Sequence, residues 1–231
     1  GVQTCALPIY RFRPRAPLPA RPRRALVFSN YAREQNFLPI VREACARAGI
    51  ELDVMGLGVG KAEAHPEEAL GQYDLIFATG RSAIESLAVG AAVVLCSHRG
   101  VGPMVTMAEL DRLRALNFGI RTIRAPHDAD TLTREIARYD AADAAAVSAR
   151  MRAEADREAV VDQWVDLYRG AIATHAEHGA HDRADEGQAA AAYLRRLSFP
   201  LKESDQLRAE RDWFKSEAEA DRKSTRLNSS H

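Results

Sequence analysis

Two short apolar runs constrain this chain more than anything else in it. LIFA at residues 75–78 and AAVVLC at 91–96 are each the length of a buried strand. Between them lies only a turn, 79–82, and a helix-length stretch, 83–89, that Gly90 ends. Two strands joined this closely by a helix make a parallel strand–helix–strand unit, and parallel sheets are covered on both faces. A doubly wound α/β domain is therefore expected, with ligands bound beyond the carboxyl ends of its strands.

Both turns of this unit lie at such ends. Thr79-Gly80-Arg81-Ser82 offers free amides at a helix start, which suits a phosphate, and Arg81 adds a forked cation. Ser82 reads as the N-cap of the helix 83–89. Glu85, three residues on, has two readings. It closes a capping box with Ser82, or it projects to the rim and accepts two hydroxyl hydrogen bonds. The second turn is a glycine-rich loop at 97–103, containing Ser97, His98, Arg99, Gly100 and Gly102.

The two ends of the chain carry a different signal. One coding strand for residues 1–9, GVQTCALPI, has a reverse complement that translates as DRKSTRLNS, residues 221–229. The pair resembles a sequencing-library adapter on both ends of one DNA fragment. Residues 1–9 and 221–231 are thus expected to lie outside the fold, and 10–220 to be a window on a longer chain. Without Asp221, Arg222, Lys223 and Arg226, the 32 basic and 32 acidic residues become 29 and 31, a net charge of −2. That balance argues against a nucleic-acid binder. Cys45 and Cys96 sit in apolar patterns and read as small buried hydrophobes, not a disulfide or metal pair. No apolar run approaches the ~20 residues of a membrane span.

Along the chain, 10–23 is rich in Arg and Pro and reads as an extended linker. Strands are expected at 25–29, 51–56, 75–78, 91–96 and 120–123. Helices are expected at 37–48, 65–71, 83–89, 107–116 and 130–139, then a long helical region at 141–178. A further helix at 183–197 is broken by Pro200, and 205–220 is a charged helix carrying Leu207, Trp213 and Phe214, with coiled-coil character. Asp74 precedes its strand, at the wrong end of the sheet for a site, and reads as structural. Gly58-x-Gly60 lacks the third glycine of a dinucleotide turn. His175, His178 and His181 have partial helical spacing but no carboxylate partner, and Gly179 interrupts them. No metal site is expected.

The order of these parts resembles the C-terminal half of GT-B glycosyltransferases. IESLAVGAAVVL, residues 84–95, is similar to the E-A-x-A-x-G-x-P-V-I segment of the Glu-x7-Glu retaining enzymes. Trp164 and Tyr168 match their closing helix. The likeness covers about 24–172, leaving 173–220 as a helical tail. It implies a Rossmann-like half that binds a nucleoside-diphosphate sugar as donor substrate, without a cofactor or metal. The glutamate matched by Glu85 then holds the ribose hydroxyls. Gly80, Arg81 and Ser82 lie near the diphosphate, with Thr79 in the same turn. His98, Arg99, Gly100 and Gly102 lie near the diphosphate or sugar, and Ser29 and Asn30 face the same cleft. Amides at 80–82 and 99–102, with Arg81 or Arg99, would stabilise the leaving diphosphate.

The chain also departs from that pattern. Phe77 stands where the first glutamate would be, Ala92 replaces the proline, and Lys61 is the only lysine near the expected phosphate ligands. The catalytic residues are not assigned. The resemblance implies transfer of the sugar to a glycan or lipid-linked acceptor held by an N-terminal domain that this chain does not include. It further implies a cytoplasmic protein, peripheral to the inner membrane face if the acceptor is lipid-linked, acting in polysaccharide biosynthesis. Two other readings stand beside it: a non-catalytic interaction module, self-associating through its C-terminal helix, and a sugar-nucleotide epimerase-like enzyme.

Overall fold

The computed structural model describes residues 6–178 and 183–228. Two compact units are present, Gly1–Tyr168 and Arg169–His231. The first is a doubly wound α/β domain around one five-stranded sheet, ordered β2-β1-β3-β4-β5. β1 (Arg24–Phe28), β2 (Glu51–Met55), β3 (Leu75–Ala78) and β4 (Ala92–Ser97) run parallel. Leu26 of β1 faces Ile76 of β3, and Phe77 of β3 faces Val94 of β4. Every residue of β3 and β4 is buried, as helices on both faces require.

Side chains alternate between the two faces. Ala25, Val27, Leu75, Phe77, Val94 and Cys96 pack with Leu38, Val41 and Cys45 of α1 (Leu38–Arg47) and with Leu132 and Ile136 of α5 (Ala129–Ile136). Leu26, Ile76, Val93 and Leu95 pack on the other face with Ile84 and Leu87 of α3 (Arg81–Val89), Leu110 and Leu113 of α4 (Leu110–Ala115), and Val147 and Met151 of α6 (Ala141–Glu154). Each such fully buried side chain contributes about 1.5–3 kcal/mol. α2 (Pro66–Ala69) runs on into a 3-10 turn, Leu70–Gln72. Burial pushes the thiols of both Cys45 and Cys96 up to about 12, so both stay protonated and unreactive.

Asp74 is structural, as expected. It accepts from the amides of Arg23 and Arg24 and pairs with Arg15 at 2.6 Å. Burial works to raise its pKa, but the Arg23 amide, the Arg15 guanidinium and the Arg24 amide outweigh it and hold the carboxyl below its usual range.

The fold corrects four readings of the sequence. The fifth strand is not 120–123, which forms a 3-10 turn, Ile120–Thr122. It is β5 (Gly100–Met104), inside the expected glycine loop, and it runs antiparallel to β4. The expected linker is not free. Phe12 is buried, the Arg15 amide donates to the Val89 carbonyl at 2.8 Å, and the Tyr139 hydroxyl donates to the Pro19 carbonyl at 2.9 Å. Leu7, expected outside the fold, is buried too. Its amide and carbonyl bond to Ala155 and Arg157 at 2.8 and 2.9 Å, where α6 ends and leaves backbone groups unpaired.

That interruption also resolves the expected helical region at 141–178 into two helices, α6 and α7 (Arg157–His178). Lastly, α8 (Arg183–Asn228) passes through Pro200 without a break. The proline removes one intrahelical bond, at about 3 kcal/mol. Trp213 and Phe214 have side chains outside the described residues, as does His178, and His181 lies outside them altogether. No described helix is long and apolar enough to cross a membrane.

Candidate functional site

In sheets of order 2-1-3-4-5 the connections leave β1 and β3 in opposite directions, opening a crevice between their carboxyl ends. The structure has a cleft of about 440 Å³ there, lined by Phe28, Asn30, Met55, Gly56, Leu57, Ala62, Glu63, Arg81, Ser82 and Glu85. Three strand ends build it. Phe28 and Asn30 leave β1, Met55 and Leu57 leave β2, and Arg81, Ser82 and Glu85 open α3 after β3. The loop after β2 lies directly on the loop after β1. A Cβ on Gly58 would meet the Ala32 carbonyl oxygen at 2.3 Å, and the Asn30 Oδ1 accepts from the Leu57 amide at 3.1 Å. Close packing, not a dinucleotide turn, accounts for Gly58.

The start of α3 differs from the capping box. Gly80 is the cap residue, at φ +59° and ψ −131°, and no side chain caps the helix. Ser82 is the second helical residue, and its carbonyl accepts from the Ser86 hydroxyl at 2.7 Å. The Gly80 amide donates to the Phe118 carbonyl at 2.8 Å, so it is not available to a ligand. Among the described residues, the amides of Arg81 and Ser82 find no acceptor.

Glu85 is therefore freed from capping. It is 7% exposed, its Oε1 accepts from Arg81 Nε at 2.8 Å, and its Oε2 takes no hydrogen bond among the described residues. Burial raises its pKa. The Arg81 hydrogen bond and charge oppose the rise without cancelling it, and the charge of Glu67 adds to it. Arg81 itself is 71% exposed. The cleft thus combines an apolar floor of Phe28 and Met55, the exposed Leu57 at its edge, two open amides at a helix N-terminus, one exposed guanidinium, one buried carboxylate and the exposed carboxylate of Glu63. Amides and guanidinium suit an anion, the carboxylate suits hydroxyl donors, and the floor suits a ring.

Of the residues expected in the site, the structure brings Asn30, Arg81, Ser82 and Glu85 to this cleft, and Gly80 positions the helix that carries three of them. Thr79 is half-buried in the chain before Gly80. The Ser29 hydroxyl accepts from the Tyr31 amide at 3.2 Å and shapes its own turn. His98 and Arg99 are exposed at the tip of the β4–β5 hairpin, on the same sheet end but outside the cleft lining. Gly100 and Gly102 are buried within β5. A Cβ on Gly100, at φ +144°, would meet the Ala125 carbonyl oxygen at 2.2 Å. One on Gly102 would meet Leu95 at 2.9 Å. The amides expected at 99–102 are largely spent, Arg99 on the Ser97 hydroxyl and Val101 on the Ala125 carbonyl.

Leu57 and Glu63 line the cleft but were not among the residues expected from the sequence. The one signal in the sequence was that they follow the carboxyl end of an expected strand; that this end lies beside β1 comes only from the strand order. The rings of Trp164 and Tyr168 lie 5.8 Å apart on α7, tilted by 36°, with Tyr168 exposed. No group of three or more metal-ligating side chains occurs among the described residues. Comparison of the chain with protein-family models and with curated proteins finds no match.

Proposed function

We propose that this chain is the donor-binding half of a GT-B glycosyltransferase, with the cleft at the β1/β3 crevice taking the nucleoside-diphosphate part of a nucleotide sugar. The observation that carries the reading is Glu85. Its competing role as a helix cap is not played, and it stands as a buried carboxylate with one oxygen unengaged beside two open helix amides. In the proposed complex the Arg81 and Ser82 amides and the Arg81 guanidinium meet the diphosphate. Glu85 accepts the ribose hydroxyls, and Phe28, Met55 and Leu57 take apolar contact. Stabilising the leaving diphosphate this way is electrostatic and draws on groups already fixed by the fold. The chemistry would be transfer of the sugar to a glycan or lipid-linked acceptor held by a further domain, so this chain alone binds without turnover.

Calorimetric titration of the full chain with UDP, GDP, ADP and CDP tests the reading, wild type beside Glu85→Ala. One of the four should bind with micromolar to sub-millimolar affinity, and the variant should weaken it about tenfold or more through two lost charge-assisted hydrogen bonds. Binding of none of them to a folded sample overturns the donor reading. Unchanged affinity in Glu85→Ala removes Glu85 from the ribose.

A further inference from the structure

Tyr31 and His98 form a contact that neither packing nor the cleft explains. Tyr31 is 64% exposed, and His98 is exposed as well, yet their rings lie 4.9 Å apart, tilted by 42°. Tyr31 follows β1 and His98 follows β4. These strands are not neighbours, because β3 runs between them. At about 4.8 Å per strand, the pair reaches across roughly 10 Å of sheet. It therefore crosses the carboxyl end of β3, where Thr79 and Gly80 lead into the open amides of α3.

Both rings stand on loops fixed from below. The Tyr31 amide donates to Ser29 Oγ, its carbonyl accepts from Asn36 Nδ2 at 2.6 Å, and Asn36 Oδ1 accepts from the Arg33 and Phe37 amides. The hairpin tip under His98 is held by Ser97, whose hydroxyl accepts from the Arg99 amide and whose carbonyl bonds to His127 at 2.7 Å. An aromatic ring kept in water on a pre-formed loop, bridging to a second ring across the end of β3, is arranged to receive a third ring. The exposed cation of Arg99 beside His98 favours one that carries negative charge.

We infer that the Tyr31–His98 pair is a stacking platform for a ring joined to the diphosphate of the ligand, namely the nucleobase or the sugar. This rests on the donor reading above and adds a binding element outside the cleft. Three probes separate the cases on the full chain: inorganic pyrophosphate, which has no ring; the nucleoside diphosphate that binds best; and that nucleoside diphosphate carrying glucose. Tyr31→Ala should leave pyrophosphate unchanged and weaken a ring-bearing ligand about tenfold, as loss of one stacked ring does. Tyr31→Phe should bind like wild type. Loss with both the nucleoside diphosphate and its glucose conjugate assigns the base; loss with the conjugate alone assigns the sugar.

Equal affinity of Tyr31→Ala and wild type for all three probes overturns the platform. So does a loss that extends to pyrophosphate, or one shared by Tyr31→Phe. Those results leave the donor reading standing, whereas a wild type that binds none of the probes overturns both. Tyr31 contributes only backbone hydrogen bonds to its loop, so an unchanged thermal midpoint should accompany each variant.

Discussion

The turns after β3 and β4 look alike in the sequence. Each follows a buried parallel strand, and each contains serine, arginine and glycine. Their fates are opposite. After β4 the chain doubles back as β5, and its backbone groups are used by the ladder, the Ser97 hydroxyl and the Ala125 carbonyl. After β3 the chain leaves as a helix, and two amides at Arg81 and Ser82 have nowhere inside the fold to go. Glycine at the carboxyl end of a strand therefore does not by itself report a ligand site. The direction of the outgoing element decides whether the backbone stays open.

Glycine substitutions test this most severely. Gly100→Ala places a methyl 2.2 Å from a backbone oxygen in a conformation that disfavours any side chain. It should cost about 3 kcal/mol or more, because neither β5 nor the 122–125 segment can retreat cheaply. Gly80 also has positive φ, but nothing lies within 4 Å of its Cβ position. Gly80→Ala should cost only the backbone strain of φ +59° and ψ −131°, about 1–3 kcal/mol. Urea unfolding midpoints at constant slope give the two numbers. Equal losses would mean that the β3 turn is as tightly enclosed as the hairpin, and the contrast would fail.

The same pair of turns shows what the sequence made legible. Three strands, at 24–28, 75–78 and 92–97, were readable because an apolar run buried on both faces leaves few alternatives, whereas the edge strand 51–55, exposed at Glu51 and Asp53, was readable only from its place after the helix that ends before it. Gly100–Met104 was not, because its glycines are required by contacts with residues distant in sequence, and a glycine-rich stretch carries no strand pattern of its own. Glu85 was identified, but its role was open. Capping and ligand binding share one spacing, and only the position of Gly80 as the cap separates them. Leu57 and Glu63 needed the strand order, which puts the end of β2 beside β1. The buried Leu7 and Phe12 needed the core itself, since a Pro- and Arg-rich stretch gives no periodicity that would show two side chains turning inward.

The buried carboxylate should cost the fold something, unlike any group of the hairpin. Glu85 has a raised pKa in the folded state, so burial favours its neutral form there. Its contribution to stability is fully present below the unfolded value of about 4.3, and is lost as pH rises through the folded value. Glu85→Gln removes that loss. The variant should be more stable than wild type at pH 7, and the difference should vanish below about pH 4. Thermal midpoints between these limits read it directly. A variant less stable at pH 7 would show that the Arg81 pair outweighs burial and that this site is not strained by its carboxylate.

Arg81→Ala gives the smallest effect on the fold and the sharpest contrast with it. Its ion pair with Glu85 is an i,i+4 pair with an exposed cation, a kind that contributes about 0.2–0.5 kcal/mol and weakens with salt. Stability should therefore change by less than about 0.5 kcal/mol. Removing the guanidinium also removes both influences that lower the Glu85 pKa, so the carboxyl should titrate still higher, visible as a shift in the pH dependence described above. If the open amides serve an anion, the same variant should lose about tenfold in nucleoside-diphosphate affinity, the share of one charge-assisted contact. Arg99→Ala, on the closed hairpin, should change binding less than Arg81→Ala, because its own amide is already engaged with Ser97 and it stands outside the cleft lining. Equal losses from the two arginines would place the anion between the turns rather than at α3, and the open-versus-closed distinction would no longer decide where the ligand sits.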